Sequence, residues 1–143
     1  MIRCFRKLQK IPGKVYVMIS DGECQEGTTW ESLLIGSKHK LDNLVVLIDY
    51  NKIQSLDSVA NTLALEPFKD KWESFGWQVV GVDGHNIEEL YDAFTAEYEK
   101  NKPVAIIAHT IKGKGFSFSE NNNDWHHATL TKSQYEIAIN ELN

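Results

Sequence analysis

Four short apolar runs punctuate the chain: Val15 to Ile19, Leu44 to Ile48, Trp77 to Val82 and Val104 to Ala108. Each is continuous rather than alternating and rich in β-branched residues. That pattern suits strands buried on both faces, as in a parallel sheet. Between the runs the spacing turns helical. Trp30, Leu33, Leu34 and Leu41 recur at helical intervals around Thr28 to Lys40, with Glu31 expected in the first turn, where a carboxylate suits the helix dipole. Ile87, Leu90, Tyr91, Phe94 and Tyr98 mark a second amphipathic face over Ile87 to Lys100, with Asn86 as N-cap and Glu89 as its capping-box partner. A shorter helix is expected over Pro67 to Phe75, ending at Gly76, and a surface helix over Lys132 to Leu142. Arg3 to Lys10 reads as the tail of another helix, and Asn121 to Asn123 as a loop.

Strand–helix–strand alternation at this spacing predicts an α/β fold, a parallel sheet with helices on both faces. Four strands are fewer than a doubly wound sheet usually has. The expectation is therefore a single, incomplete domain over residues 1–143, a piece of a larger unit. Composition adds exclusions. With 42% hydrophobic and 24% charged residues the chain is globular rather than disordered. Fifteen Lys+Arg against twenty Asp+Glu leave a formal charge of −5, which speaks against a nucleic-acid partner. No apolar run approaches the about 20 residues of a membrane span. Cys4 and Cys24 are too few for a disulfide framework, and a signal-peptide pattern is lacking, so reduced thiols and a cytoplasmic location are expected.

In open α/β sheets ligands bind beyond the carboxyl ends of the strands, and there this chain gathers its polar and glycine residues. Ser20-Asp21-Gly22-Glu23-Cys24-Gln25-Glu26-Gly27 follows the first run and Asp49-Tyr50-Asn51-Lys52-Ile53-Gln54 the second. Asp83-Gly84-His85 follows the third, and His109-Thr110-Ile111-Lys112-Gly113-Lys114-Gly115 ends the fourth. An aspartate followed by glycine suits a backbone that approaches a phosphate while the carboxylate holds a hard cation. Asn51 lies one crossover further on, so neighbouring strands would bring the two side chains to one point. The helix starting near Thr28 adds an N-terminus favourable to phosphate. Taken singly, Asp21 and Asn51 also read as a turn aspartate and a capping asparagine. Glu26 and Glu31 also read as a solvated helix start, and His126 as a loop histidine. His109 reads as a structural residue, Lys112 to Lys114 as a flexible Gly-Lys loop, Cys24 as a spectator thiol, and the four tryptophans as packing.

Asp21-Gly22, Glu26-Gly27, Glu31 and Asn51-Lys52-Ile53 together resemble the thiamin-diphosphate motif of transketolases. Glu66-Pro67, the Trp72 to Trp77 stretch, Val82-Asp83-Gly84-His85 and His109 to Gly115 resemble that family too, from Lys7 to about Leu130. The match is best to the amino-terminal subunit of the split, two-chain type, of which the later part is present. The resemblance implies a thiamin-diphosphate-binding, Rossmann-like fold. It implies Asp21, the Asn51 side chain and the Ile53 carbonyl as ligands of Mg2+ or Ca2+, and Gly22 against the diphosphate. Ser20 and Glu23, flanking that pair, are counted with it as cofactor contacts. Glu26 and Glu31 correspond to a carboxylate network between subunits, Glu26 serving catalysis. His126 corresponds to the histidine near the diphosphate and the reacting centre. Ser20 replaces a family glycine, and His127 stands where a glycine usually follows the histidine. The implied activity is transfer of a two-carbon ketol unit between sugar phosphates by a dimer. Its carboxy-terminal partner subunit would carry the pyrimidine-binding domain. Two alternatives stay open: another thiamin enzyme, of the 2-oxo acid dehydrogenase or xylulose-phosphate synthase type, or a truncated remnant that folds or dimerises without activity.

Overall fold

A computed structural model describes residues 12–142. The element order is β1 (Val15–Ser20), α1 (Gly27–Lys38), β2 (Leu44–Tyr50), α2 (Val59–Leu63), α3 (Phe68–Ser74), β3 (Gln78–Asp83), α4 (Ile87–Thr95), β4 (Val104–His109) and α5 (Lys132–Glu141). Short 3-10 turns cover Gly22–Gln25 and Asn123–His126. The expected helix over Arg3 to Lys10 lies outside the described residues. Two compact units result: Met1–Tyr50 with Leu65–Thr110, and Asn51–Ala64 with Ile111–Asn143.

The first unit is a four-stranded parallel sheet in the order β1-β2-β4-β3. Every predicted strand is there, but only the central runs Val45 to Ile48 and Val104 to Ala108 bury side chains on both pleats. Strand β1, at the sheet edge, leaves Tyr16 and Met18 exposed, so the expected burial on both faces does not hold there. Val45, Val82, Val104, Ile106 and Ala108 form one core layer with Ala93, and Leu90, Phe94 and Tyr98 pack onto it. On the opposite face Val17, Leu44 and Val46 line a cavity together with Leu33 of α1 and Trp72 of α3. Helices thus cover both faces, as expected. Gly36 on α1 is buried because the Trp77 indole lies against it: a Cβ there would sit 2.8 Å from Trp77 Cζ2.

Helices α1 and α4 differ from expectation in several details. Helix α1 starts at Gly27, so Glu31 falls beyond its first turn and Leu34 is exposed, while Leu41 is buried past the helix end. Helix α4 stops at Thr95 rather than Lys100, because Ala96 turns extended and Tyr98 folds back to donate its hydroxyl to Ala93 O (2.6 Å). Its inward stripe is Leu90, Ala93 and Phe94, whereas Ile87 and Tyr91 face outward. Asn86 does cap it, accepting from the N–H groups of Glu88 and Glu89 (3.0 and 3.3 Å). The Glu89 carboxylate turns to the Asn86 side-chain amide and the Asp83 N–H rather than to the Asn86 backbone.

The second unit is built from loops and two helices. Ile53 pairs with Ser58 in an antiparallel bridge, and the Ser58 hydroxyl caps α2 by accepting from Asn61 N (3.2 Å). Helix α5 carries a full capping box between Thr131 and Gln134. Lys112 to Lys114, expected as a flexible loop, form a closed turn. Asn121 N donates to Lys112 O (2.9 Å) and Ser119 Oγ to Gly113 O (3.0 Å), and Gly113 has φ +68° with Ser119 O 2.5 Å from where a Cβ would stand. Among the described residues no helix is long and apolar enough to cross a membrane.

Candidate functional site

Parallel pairing sets all four strand ends at one edge of the first unit. The register aligns Ser20 with Asp49, Tyr50 with His109, and His109 with Asp83. Strands β1 and β2 are direct neighbours. Asp21 follows β1 immediately, is 1% exposed, and donates its N–H to Asp49 O (3.1 Å). A carboxylate removed from water this far demands compensation, and its charge acts on the Cys24 thiol and Tyr50 hydroxyl close by.

The turn after Asp21 is tied at several points. Ser20 N donates to Glu23 Oε2 (2.9 Å), Ser20 Oγ donates to the same oxygen (3.3 Å) and accepts from Glu23 N (3.2 Å). Serine at this position therefore has a structural purpose that glycine could not serve, and the Glu23 carboxylate is turned onto it. The Ser-x-x-Glu spacing was the available signal, since it is the spacing of a capping box. Helix α1 holds the same turn from the other side: Thr29 Oγ1 donates to Glu23 O (2.7 Å) and Trp30 Nε1 to Cys24 O (2.8 Å). Glu26, the N-cap of α1, and Glu31 are both exposed, and Glu26 accepts from Thr28 Oγ1 (3.4 Å).

Cys24 is fully buried, with its Sγ directed to Ser20 O (3.4 Å). Burial first, then the charges of Asp21 and Glu23, push its thiol from the ordinary 9.0 up to about 12. A raised folded pKa means the unfolded chain loses this proton first. The thiol's contribution to stability is therefore complete below about pH 9 and lost between 9 and 12. Tyr50 and Tyr98 shift upward as well, chiefly by burial, and strengthen the alkaline loss. The expected result is that iodoacetamide at pH 8 spares Cys24 in the native chain and alkylates it after unfolding, read by peptide mapping. Native labelling at the rate of a free thiol would contradict the buried turn.

In the second unit Asn51 Oδ1 accepts from Ile53 N (2.9 Å) across Lys52, whose φ is +65°. This tight turn fixes the amide oxygen of Asn51 and the orientation of the Ile53 peptide. His126 ends the 3-10 turn Asn123–His126, capped by Asn122, whose side chain accepts from Asp124 N (3.0 Å). Its ring meets that of His127 edge-on at 4.7 Å. His126 Nδ1 is buried and has no hydrogen-bond partner among the described residues. Desolvation, then the Lys112 and His127 charges, lower its pKa below 6.5, so it is neutral at pH 7. The His109 ring stands edge-on to Tyr50 within the first unit (5.6 Å).

The first unit holds a buried carboxylate at Asp21, and the second, taken by itself, holds an amide oxygen at Asn51 and a carbonyl at Ile53; each is a donor type that a hard cation accepts. No group of three or more His, Cys, Asp or Glu among the described residues could hold a metal. A site with one carboxylate suits magnesium, which retains waters or phosphate oxygens in its shell. The orphaned Nδ1 of His126 is likewise a polar atom that a bound group would satisfy. The donor chemistry fits a metal–diphosphate.

A parallel α/β sheet with an acid–glycine turn at its carboxyl edge is the architecture of diphosphate-binding domains. The chain belongs to the transketolase family: the model of the "Transketolase, thiamine diphosphate binding domain" matches residues 7–142. It is 39% identical to an apulose-4-phosphate transketolase subunit of Phocaeicola vulgatus over 137 residues, 95% of this chain and 49% of that protein. It is equally 39% identical to the 6-deoxy-6-sulfo-D-fructose transketolase subunit SqwG of a Clostridium species, covering 95% and 50%. In structure it resembles the transketolase of Campylobacter jejuni, with a TM-score of 0.88 and 30% identity, covering 97% of this chain and 23% of that one. The chain spans about half the length of the two relatives from Phocaeicola and Clostridium.

Proposed function

We propose that this chain is part of the diphosphate-binding domain of a split transketolase and works with a separate carboxy-terminal subunit in moving a two-carbon ketol group between sugars. The observation that carries the proposal is the buried Asp21 carboxylate, held by a braced turn at the tip of β1 directly beside β2, the strand that leads into Asn51. Asp21, Asn51 Oδ1 and the Ile53 carbonyl would hold Mg2+ (or Ca2+), and through it thiamin diphosphate. Gly22 would lie against the diphosphate, while Ser20 and Glu23 shape the turn. When bound, the cofactor supplies the carbon nucleophile and electron sink of ketol transfer. The metal's role is to neutralise the diphosphate and fix its position. His126, neutral at pH 7, presents Nδ1 to accept a hydrogen bond or a proton near the reacting centre. Glu26 and Glu31, exposed on α1, would form the carboxylate network of a dimer by meeting a second copy of the enzyme. The whole of residues 1–143 would then be one partial domain, in the cytoplasm.

The Phocaeicola and Clostridium relatives act on different ketoses by name, apulose 4-phosphate and 6-deoxy-6-sulfo-D-fructose, at the same identity to this chain. Ketol transfer is their common element. The test is calorimetric titration of the full chain with thiamin diphosphate in millimolar Mg2+, with and without the partner subunit, followed by assay with a ketose phosphate and an aldose phosphate. Metal-dependent binding, with turnover only when both chains are present, is expected. Failure to bind in either setting would leave a remnant, and turnover of a 2-oxo acid instead would assign another thiamin enzyme.

A further inference from the structure

The tip of β2 is held by side chains as well as by its backbone pairing with β1 and β4. Past β4, the backbone contact at Tyr50 is a long one, Thr110 N to Tyr50 O at 3.4 Å. Beside it Thr110 Oγ1 donates to Asp49 Oδ1. The Tyr50 side chain, 4% exposed, does the rest. Its ring stacks on Phe68 with centroids 4.9 Å apart and planes 20° from parallel, and the His109 ring stands edge-on to it at 5.6 Å. Its hydroxyl donates to Glu66 Oε1 (2.5 Å). The second oxygen of that carboxylate accepts from Phe68 N (2.8 Å). One exposed glutamate thus joins the end of β2 to the start of α3 by two charge-assisted hydrogen bonds.

We propose that Glu66, acting through Tyr50, is a positioning residue for the metal–cofactor site: the pair fixes the last residue of β2 so that Asn51, the next residue, is presented in one orientation. This rests on the function proposed above. A ligand's supporting hydrogen bonds tune metal affinity even when they touch no metal. Asn51 has no long, rigid side chain of its own. Its amide oxygen already accepts from Ile53 N, so its placement depends on the backbone on either side. On the Ile53 side that backbone is closed by the Asn51 turn, and on the β2 side by Tyr50.

The test measures divalent-ion affinity rather than turnover. Mn2+ binding to the full chain with its partner subunit, in saturating thiamin diphosphate, is followed by electron paramagnetic resonance. The variants are Tyr50→Phe, Glu66→Ala, Glu66→Gln and Asp21→Ala. Tyr50→Phe keeps both ring contacts and loses only the hydroxyl. It and Glu66→Ala are expected to weaken Mn2+ binding about 10–100-fold. Glu66→Gln, which retains an acceptor for the Tyr50 hydroxyl, is expected to recover most of that affinity. A purely structural role would lower the melting temperature without this ordering in ion affinity. If Tyr50→Phe and Glu66→Ala bind Mn2+ as the unmodified chain does while Asp21→Ala has lost it, the positioning role is wrong and the metal site stands. If Asp21→Ala binds normally, or the unmodified chain does not bind, the functional reading falls and the positioning role with it.

Discussion

Asp21→Ala is expected to abolish magnesium-dependent binding of thiamin diphosphate while leaving the fold intact. The backbone bonds that hold the residue, its N–H to Asp49 O and the Cys24 N–H to its carbonyl, do not involve the side chain. The turn remains tied by Thr29, Trp30 and the Ser20–Glu23 pair. What disappears is the one fully buried carboxylate among the described residues. Outer-shell substitutions cost about 10–100-fold in metal affinity, and loss of a direct ligand is expected to exceed that range. Turnover with the partner subunit should fall accordingly, and raising Mg2+ should not restore it. Titration calorimetry, with circular dichroism to verify folding, decides the matter. Cofactor affinity within threefold of the unmodified chain would place the metal elsewhere.

Trp72→Ala is expected to be the most damaging substitution in the packing. Trp72 is 1% exposed and stands edge-on to both Trp77 (5.3 Å) and Phe68 (6.1 Å), with Trp30 tilted against it at 6.1 Å. Large-to-small changes of a buried tryptophan cost about 3–5 kcal/mol. The edge-on ring contacts contribute about 0.5–1.5 kcal/mol each beyond area burial. The site already borders a cavity of about 250 Å³, which the loss of an indole would enlarge. One term runs the other way. The Trp72 indole N–H finds no acceptor among the described residues, so its removal relieves a buried donor that costs about 1–3 kcal/mol. Trp72→Phe, which removes that donor but keeps an aromatic ring, should therefore lose far less than Trp72→Ala. Urea denaturation gives both values, and a loss below about 1 kcal/mol for Trp72→Ala would show that the cluster tolerates collapse.

Much of the architecture was legible in local pattern. The central strands β2 and β4 could be read because a strand buried on both pleats has no polar face to interrupt its apolar run, and the edge strand β1 because its residues are apolar even where Tyr16 and Met18 are exposed. Asn86 was visible because capping chemistry is local: a side-chain oxygen two or three residues before an orphan N–H. Glycine and acid clusters after each run marked the carboxyl edge for the same reason. The helix faces were less legible. Ile87 and Tyr91 belong by spacing to the apolar stripe of α4, yet the sheet selects Leu90, Ala93 and Phe94. Which flank of a broad stripe is buried depends on the element it meets, and periodicity carries no information about that. In the sequence Ser20 reads as the replacement of a family glycine, and its bonds to Glu23 are visible only in the turn geometry.

The chain's own order of residues determined the α/β class, the strands and the motif that links it to transketolases, since these follow from patterns a few residues long. Three things needed the tertiary structure: that β1 and β2 are neighbours, that the Asp21 carboxylate is buried, and that Glu66 reaches Tyr50 across sixteen positions. Each depends on contacts between segments distant in sequence, whose pairing is set by how the sheet and helices pack together and by no single stretch of the chain.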